Sequence, residues 1–63
     1  MNQFVEIQLY DSDHPILINL GYIVKIEPTY YGSDIYLATE AGKLEQIRCC
    51  INYNNWATIL SAR

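Results

Sequence analysis

Three short, mainly apolar runs follow one another between positions 15 and 37. They are Ile16–Ile18, Ile23–Ile26 and Ile35–Leu37, and residues that favour turns separate them. Runs this short are typical of strands, because an amphipathic helix needs roughly 10 residues or more to show its period. The chain is therefore predicted to be rich in β-structure with tight connections.

The segment before these runs alternates strictly between apolar and polar residues. Val5, Ile7 and Leu9 fall on one face of it, which is the period of a half-buried strand. The next residues, 11–15, read DSDHP and favour a turn. This strand is therefore predicted to form a hairpin with the first apolar run.

The middle of the chain predicts further strands. Residues 29–34 are interpreted as a loop, and strands are predicted over 35–39 and 43–49. Leu44 and Ile47 are the apolar points of the last strand.

The final segment changes to a helical period. Trp56, Ile59 and Leu60 follow i, i+3, i+4 spacing, and Tyr53 extends the same face by one turn. Asn52 is a suitable N-cap, because its side chain can accept from the free amides of the first turn. A short C-terminal helix that closes the core is predicted.

The length of 63 residues fits one domain. Residues 1–63 are predicted to form a single α+β domain with about five short, mainly antiparallel strands, in a curled sheet or small barrel, and one C-terminal helix. A domain of this size buries only about 60% of the surface that its unfolded chain exposes. Such domains usually gain stability from a cross-link, a metal or a partner subunit.

The two cysteines, Cys49 and Cys50, are neighbours in the chain. Adjacent Cα atoms lie about 3.8 Å apart, below the usual disulfide separation of roughly 4.4–6.8 Å, and in a strand the thiols point to opposite faces. One cysteine is expected to be buried as a small apolar residue. One histidine and two adjacent cysteines do not supply four zinc ligands, so no metal or cofactor is predicted.

Charge and hydropathy limit the classes of partner. The net charge is −3, with four basic residues scattered along the chain, whereas nucleic-acid binding depends on clustered Lys and Arg. No apolar run approaches the roughly 20 residues of a membrane span, and the first residues lack the pattern of a signal peptide. The sequence predicts a cytoplasmic protein without a nucleic-acid or membrane partner.

Residues 11–14, Asp-Ser-Asp-His, contain the residue types of a hydrolase site. Catalytic triads, however, are built from groups that converge in space rather than from neighbours in one turn. Local turn chemistry already accounts for these residues. No catalytic residue is therefore predicted, and the chain is expected not to be an enzyme.

Strands two and three are apolar on both predicted faces. Leu17 opposes the isoleucines on either side of it, and Ile23 opposes Val24 and Ile26. One sheet with one short helix can cover only one of these faces, and soluble proteins usually bury such a second face in an interface. A homo-oligomer, most simply a dimer, is predicted.

Six tyrosines are the most unusual compositional feature. An aromatic ring with a polar tip suits a protein interface or a shallow ligand site, and it also suits a half-exposed strand. The residues predicted to form an interface or to bind a ligand are Tyr10, Tyr22, Tyr30, Tyr31, Leu17 and Ile23.

Four segments together resemble a known family. They are residues 15–19 (PILIN), 23–27 (IVKIE), 35–37 (IYL) and 42–43 (GK). This series is similar to that of the small flagellar and swarming motility protein (FlbD-like) family, and the resemblance covers roughly residues 4–60. It implies a compact β-rich fold. The chain also resembles, more weakly, the LytTR-type DNA-binding domains. It shares their rhythm of strands but lacks their basic surface.

The predicted function is that of a small, non-enzymatic, cytosolic interaction or regulatory protein of bacterial or phage type. It would act as a homo-oligomer, with another protein as a further partner left open. The alternative is an oligomer that binds a small molecule or nucleotide at tyrosine-lined interface sites. A LytTR-like DNA-binding module is the third hypothesis.

Overall fold

Five strands, a 3₁₀ turn and one α-helix make up the computed structural model, which describes residues 3–61. In chain order they are β1 (Phe4–Gln8), β2 (Pro15–Asn19), the 3₁₀ turn (Leu20–Tyr22), β3 (Ile23–Thr29), β4 (Gly32–Ala38), β5 (Leu44–Cys49) and α1 (Tyr53–Ser61). All strand pairings are antiparallel. The predicted α+β fold is therefore confirmed.

Two sheets are joined into one curled layer. β1 and β2 form a hairpin, and β3, β4 and β5 form a meander. The end of β1 continues beside β5, because Tyr10 N–H donates to the Arg48 carbonyl at 2.9 Å and Cys50 N–H donates to the Gln8 carbonyl at 3.0 Å. The strand orders are β1-β2 and β3-β4-β5, and a single bridge between Leu9 and Cys49 links the two sheets. The layer is not closed into a barrel: within residues 3–61, β1 and β2 are the edges of one sheet and β3 and β5 are the edges of the other.

The core lies between the hairpin, the meander and α1. Its fully buried apolar side chains are Ile7, Ile18, Leu20, Ile35, Cys49 and Trp56. The predicted alternation in β1 is confirmed, since Val5 and Leu9 pack against this core beside Ile7. The predicted division of the cysteine pair is also confirmed, because Cys49 is buried and Cys50 is exposed.

Helix α1 begins where the sequence predicts. The Asn52 side-chain oxygen accepts from Asn54 N–H at 2.9 Å and caps the first turn. Trp56 is only 2% exposed, and the apolar residues one turn later are half-buried. Tyr53 is 44% exposed, so its assignment to the core is wrong: it lies in the first turn, at the rim of a groove that is open to solvent. No helix within residues 3–61 is long and apolar enough to cross a membrane.

A bulge in β3 corrects the predicted faces of that strand. Between Ile23 and Lys25 the pairing with β4 advances by two residues on β3 for one on β4. The extra residue, Val24, shifts the alternation, so Ile23 and Ile26 both pack against the core while Val24 is 57% exposed. The prediction that Ile23 opposes Ile26 is wrong, because it assumed an unbroken period of two.

Strand β4 begins earlier than predicted, and the loop before it is shorter. β3 continues through Pro28 to Thr29, which is possible because an edge strand can present the missing N–H of proline to solvent. Only Tyr30 and Tyr31 then connect β3 to β4. Ser33, predicted to lie in a loop, is instead a fully buried strand residue.

Leu44 is also placed differently from its prediction. It pairs with Ala38 on the outer face of the meander and is 53% exposed. Ile47, the other predicted apolar point of β5, is half-buried and packs against the core.

Gly32 allows β4 to start in close contact with the end of β5. Its φ is +144°, and a Cβ atom at this position would lie 2.5 Å from the Cys49 carbonyl oxygen and 2.7 Å from the Cys50 carbonyl carbon. Both neighbours are backbone atoms, which cannot rotate away. Only glycine therefore fits both the torsion and the space.

The substitution Gly32→Ala should lower the free energy of unfolding by roughly 3–5 kcal/mol, since it adds backbone overlap to the cost of a positive φ. Gly42→Ala is the matched control, because Gly42 also has a positive φ, +77°, but no atom within 4 Å of its Cβ position. It should cost only about 1–2 kcal/mol. Urea denaturation of both variants measures the difference, and equal midpoints would contradict this account of Gly32.

Candidate functional site

Ser33 links the core to the segment that leads into α1. Ser33 Oγ accepts from Trp56 Nε1 at 2.8 Å and donates to the Ile51 carbonyl, also at 2.8 Å. Ile51 N–H lies 3.3 Å from the Cys49 sulfur. Burial raises the pKa of the Cys49 thiol, which keeps it protonated and unreactive. Ser33 and Cys49 are therefore committed to the fold.

The turn between β1 and β2 uses its polar residues locally. Ser12 Oγ lies 3.2 Å from His14 Nδ1 and accepts from the backbone N–H of His14 at 3.5 Å. Gln8 Nε2 donates to the Ser12 carbonyl at 2.8 Å and braces the turn. These are the short-range bonds that serine forms in turns. Within residues 3–61, no side chain bonds the other nitrogen of His14 to form a catalytic chain.

Metal-binding residue types do not converge in the part of the chain that the structure describes. No group of three or more His, Cys, Asp or Glu side chains there could hold a metal ion. The candidate functional regions are therefore surfaces of aromatic and apolar side chains.

Three of the predicted tyrosines meet in what we call the tyrosine cluster (Tyr10, Tyr30 and Tyr31). The rings of Tyr10 and Tyr31 stack with centroids 4.2 Å apart, and Tyr30 stands nearly perpendicular to both. Tyr10 follows β1, whereas the other two form the β3–β4 turn. They meet because the end of β1 runs beside β5.

The cluster is held in place by polar bonds beneath it. The Tyr31 hydroxyl bonds Asp34, and the second oxygen of that carboxylate accepts from Gln46 Nε2 at 2.9 Å. Desolvation, and then the bond to Asp34, raise the pKa of Tyr31 to about 12. Tyr30 remains 91% exposed. The cluster therefore combines an anchored ring with an accessible one.

The polar outer face of β3 and β4 is internally paired. Lys25 lies 3.7 Å from Glu27, and Tyr36 donates to the same carboxylate at 3.0 Å. The Lys25 ammonium also lies 4.6 Å from the centre of the Tyr36 ring. These contacts pair the two charges of this face with each other, and both Lys25 and Glu27 remain about half exposed.

A second surface, the edge groove, follows the free edge of β2. Its rim carries the exposed side chains of Phe4, Leu17 and Tyr22, and its floor includes Leu37 and Ile47 from the meander. The groove has a volume of about 480 Å³. Its lining contains a single charged residue, Glu45. An apolar occupant is therefore favoured over a charged one.

The predicted residues thus divide among three places. Tyr10, Tyr30 and Tyr31 form the tyrosine cluster, while Leu17 and Tyr22 lie on the edge groove. Ile23 packs against the core and lines a third region, a groove of about 400 Å³ between β3 and α1.

Sequence reasoning missed several residues of these surfaces, among them Phe4, Asp34 and Gln46. Phe4 was the detectable one, since it is a large apolar residue at a polar position of an alternating strand. The contributions of Asp34 and Gln46 to the cluster depend on the register of β4 with β5, for which the sequence carries no local signal.

Comparison of the chain with protein-family models, with curated proteins and with solved structures finds no match. The resemblance to the small flagellar and swarming motility proteins stays a prediction.

The pKa of Tyr31 predicts a specific dependence of stability on alkaline pH. Because the folded-state pKa, about 12, exceeds the usual value of 10.0, the folded state favours the neutral phenol. This contribution is complete below pH 10 and is lost as pH rises from about 10 to about 12. Tyr31→Phe should remove this part of the decline in unfolding free energy, together with the phenol that ionises near pH 12.

Ultraviolet absorbance of tyrosinate and denaturation at several pH values measure both effects. Asp34→Asn should lower the pKa of Tyr31 without removing the phenol. The pKa values of Tyr10 and Tyr36 are also raised, so the amplitude of the absorbance step near pH 12 decides: an unchanged amplitude in Tyr31→Phe would contradict the assignment.

Proposed function

We propose that this chain is a non-enzymatic interaction protein that works as a homo-oligomer, most simply a dimer, assembled through the edge groove. The observation that carries the proposal is the exposed apolar rim beside the edge of β2 that pairs with no strand within residues 3–61. Phe4, Leu17 and Tyr22 are 57%, 66% and 61% exposed. The proposed role is regulatory and of bacterial or phage type.

The edge groove is an incompletely covered part of the core rather than a separate depression. Ile18 lines it and is only 4% exposed, so the same strand contributes buried and exposed apolar side chains. Contiguous apolar patches of this kind usually mark interaction sites on soluble domains. An occupant would therefore extend the existing core.

The size and charge of the chain suit a second copy. A standard interface buries about 800 Å² on each partner, roughly a fifth of the 4474 Å² surface of this chain. The net charge of −3 gives only weak repulsion between copies. A symmetric dimer that places the same groove on both copies is the simplest closed assembly.

The hydrogen bonds and the burial of the reactive side chains support the non-enzymatic part of the proposal. Ser12 and His14 bond each other in a surface turn, and Ser33 is bonded to Trp56 in the core. Cys49 is buried with a raised pKa.

Leu17→Lys tests the proposed interface. Light scattering of the wild-type protein at micromolar concentration should give at least twice the chain mass of 7.3 kDa. Leu17→Lys should give the monomer mass, because it places a charge in an apolar interface. Val24→Lys is the matched control, since Val24 is similarly exposed (57%, against 66% for Leu17) but lies on β3, and it should keep the wild-type mass.

A wild-type monomer would contradict the proposal. So would a Leu17→Lys variant that keeps the wild-type mass, or a Val24→Lys variant that dissociates equally.

The tyrosine cluster favours a second candidate function, the binding of a flat, uncharged small molecule. None of the three tyrosines lines the edge groove, so this site would be separate from it. Asp34 beneath the cluster disfavours a nucleotide phosphate. An exposed ring such as Tyr30 gives such a ligand a stacking surface.

Native mass spectrometry of the purified protein tests this candidate. A bound small molecule should be present in the wild type and lost in Tyr30→Ala, while Tyr53→Ala, which removes another exposed tyrosine, should retain it. Its equal retention in both variants would exclude the cluster as the site.

A further inference from the structure

The edge strands β2 and β3 differ in how they are protected from pairing with another strand. β3 carries the bulge at Val24, the charged pair of Lys25 and Glu27, and Pro28. Bulges, charges and proline are the devices that keep an edge from pairing. β2 has a proline only at its first position, Pro15, and contains Ile16–Ile18 without a charge or a bulge. Of these two edges, β2 is therefore the less protected.

The hydrogen-bond pattern shows which backbone groups of β2 face outward. Leu20 N–H donates to the Gln3 carbonyl at 2.9 Å, so these residues form a hydrogen-bonded pair in the β1–β2 register. Bonded and non-bonded pairs alternate along an antiparallel ladder. The pair of Val5 with Ile18 is then bonded, and the N–H and C=O of Leu17 point away from β1.

Two neighbouring positions agree with this alternation of bonded and non-bonded pairs. Pro15, two residues before Leu17, occupies another outward-facing position, where its missing N–H costs no bond within the hairpin. On the other side of β1, the Gln8 carbonyl accepts from Cys50 N–H, as the same alternation requires. The outward backbone groups on the free edge are therefore the N–H and C=O of Leu17, the N–H of Asn19 and the C=O of Pro15.

We infer that β2 pairs antiparallel with β2 of a second copy, with the twofold axis beside Leu17, so that the two hairpins form one continuous sheet. This inference rests on the proposed homo-oligomer and specifies its geometry. The two copies of Leu17 would exchange two backbone hydrogen bonds. Asn19 N–H of each copy would donate to the Pro15 carbonyl of the other, which adds two more.

The side chains suit this register on both faces. Residues directly opposite in an antiparallel pair share a face of the sheet, so Leu17 of each copy would meet the other on the outer face. Ile16 and Ile18 of the second copy would lie on the inner face, which continues into the groove floor at Leu37 and Ile47. Apolar groups would thus meet apolar groups on both sides.

A second copy fits this edge better than an arbitrary strand because the edge is self-complementary. Pro15 offers only an acceptor, and the residue that faces it in this register, Asn19, offers a donor. No residue of β2 is charged, so the pairing buries no unpaired charge. A foreign segment would need the same pattern of donors and apolar residues.

Hydrogen exchange of individual amides, followed by NMR at low and high protein concentration, tests the pairing. The Leu17 and Asn19 amides should exchange at least tenfold more slowly at the concentration where light scattering shows the dimer. Ile16 and Ile18 are internal references, since their amides already face β1. A dimer whose Leu17 amide exchanges at the same rate at both concentrations would overturn strand pairing and leave the proposed homo-oligomer intact. A monomer at every concentration would overturn both.

Two substitutions at one position give an independent measurement. Leu17→Pro removes the outward N–H without removing a bond to β1, whereas Leu17→Ala shortens the side chain and keeps the N–H. Leu17→Pro should remain folded and monomeric at a concentration where Leu17→Ala is still dimeric. Equal loss of the dimer in both variants would show that only side chains hold it and would overturn strand pairing. If Leu17→Pro fails to fold, the exchange measurement still decides.

Discussion

The hydrogen bond between Trp56 and Ser33 determines how the single helix lies on the sheet. An indole N–H buried without a partner would cost about 1–3 kcal/mol, and Ser33 Oγ supplies the acceptor at 2.8 Å. Because Ser33 also bonds the Ile51 carbonyl, the segment that leads into α1 is held by the same hydroxyl. Gly32, next to Ser33, then lets β4 and β5 approach closely enough for these bonds to form.

Fixing α1 at this position leaves the opposite side of the core uncovered. The helix contacts β3, while β2 has no element beyond it within residues 3–61. A chain of this length has too little surface to cover both sides of a curled sheet. The edge groove follows from that shortage, and a second copy of the chain would remedy it with the same apolar side chains that build the core.

The tyrosine cluster and the edge groove differ in chemistry, and none of the three tyrosines lines the groove. The cluster has hydrogen-bonded phenols and a carboxylate beside an exposed ring, whereas the groove is almost wholly apolar. Self-association through the groove would therefore use different side chains from those of the candidate ligand surface.

Local sequence patterns determined the elements of this protein. The alternation of β1, the cap at Asn52 and the helical spacing at Trp56 each depend on neighbours within a few residues, so they can be interpreted without knowing the fold. Leu17 was identifiable for the same reason, as the outward residue of an apolar strand. Tertiary structure decided what depends on register: the bulge at Val24, and the meeting of Tyr10 with the β3–β4 turn.

The role of Ser33 also depended on tertiary structure. Its partners Ile51 and Trp56 are 18 and 23 residues away in sequence, and no period in a sequence links positions so far apart. Their contact is set by the backbone ladders between strands, whose register depends on the packing of the whole core.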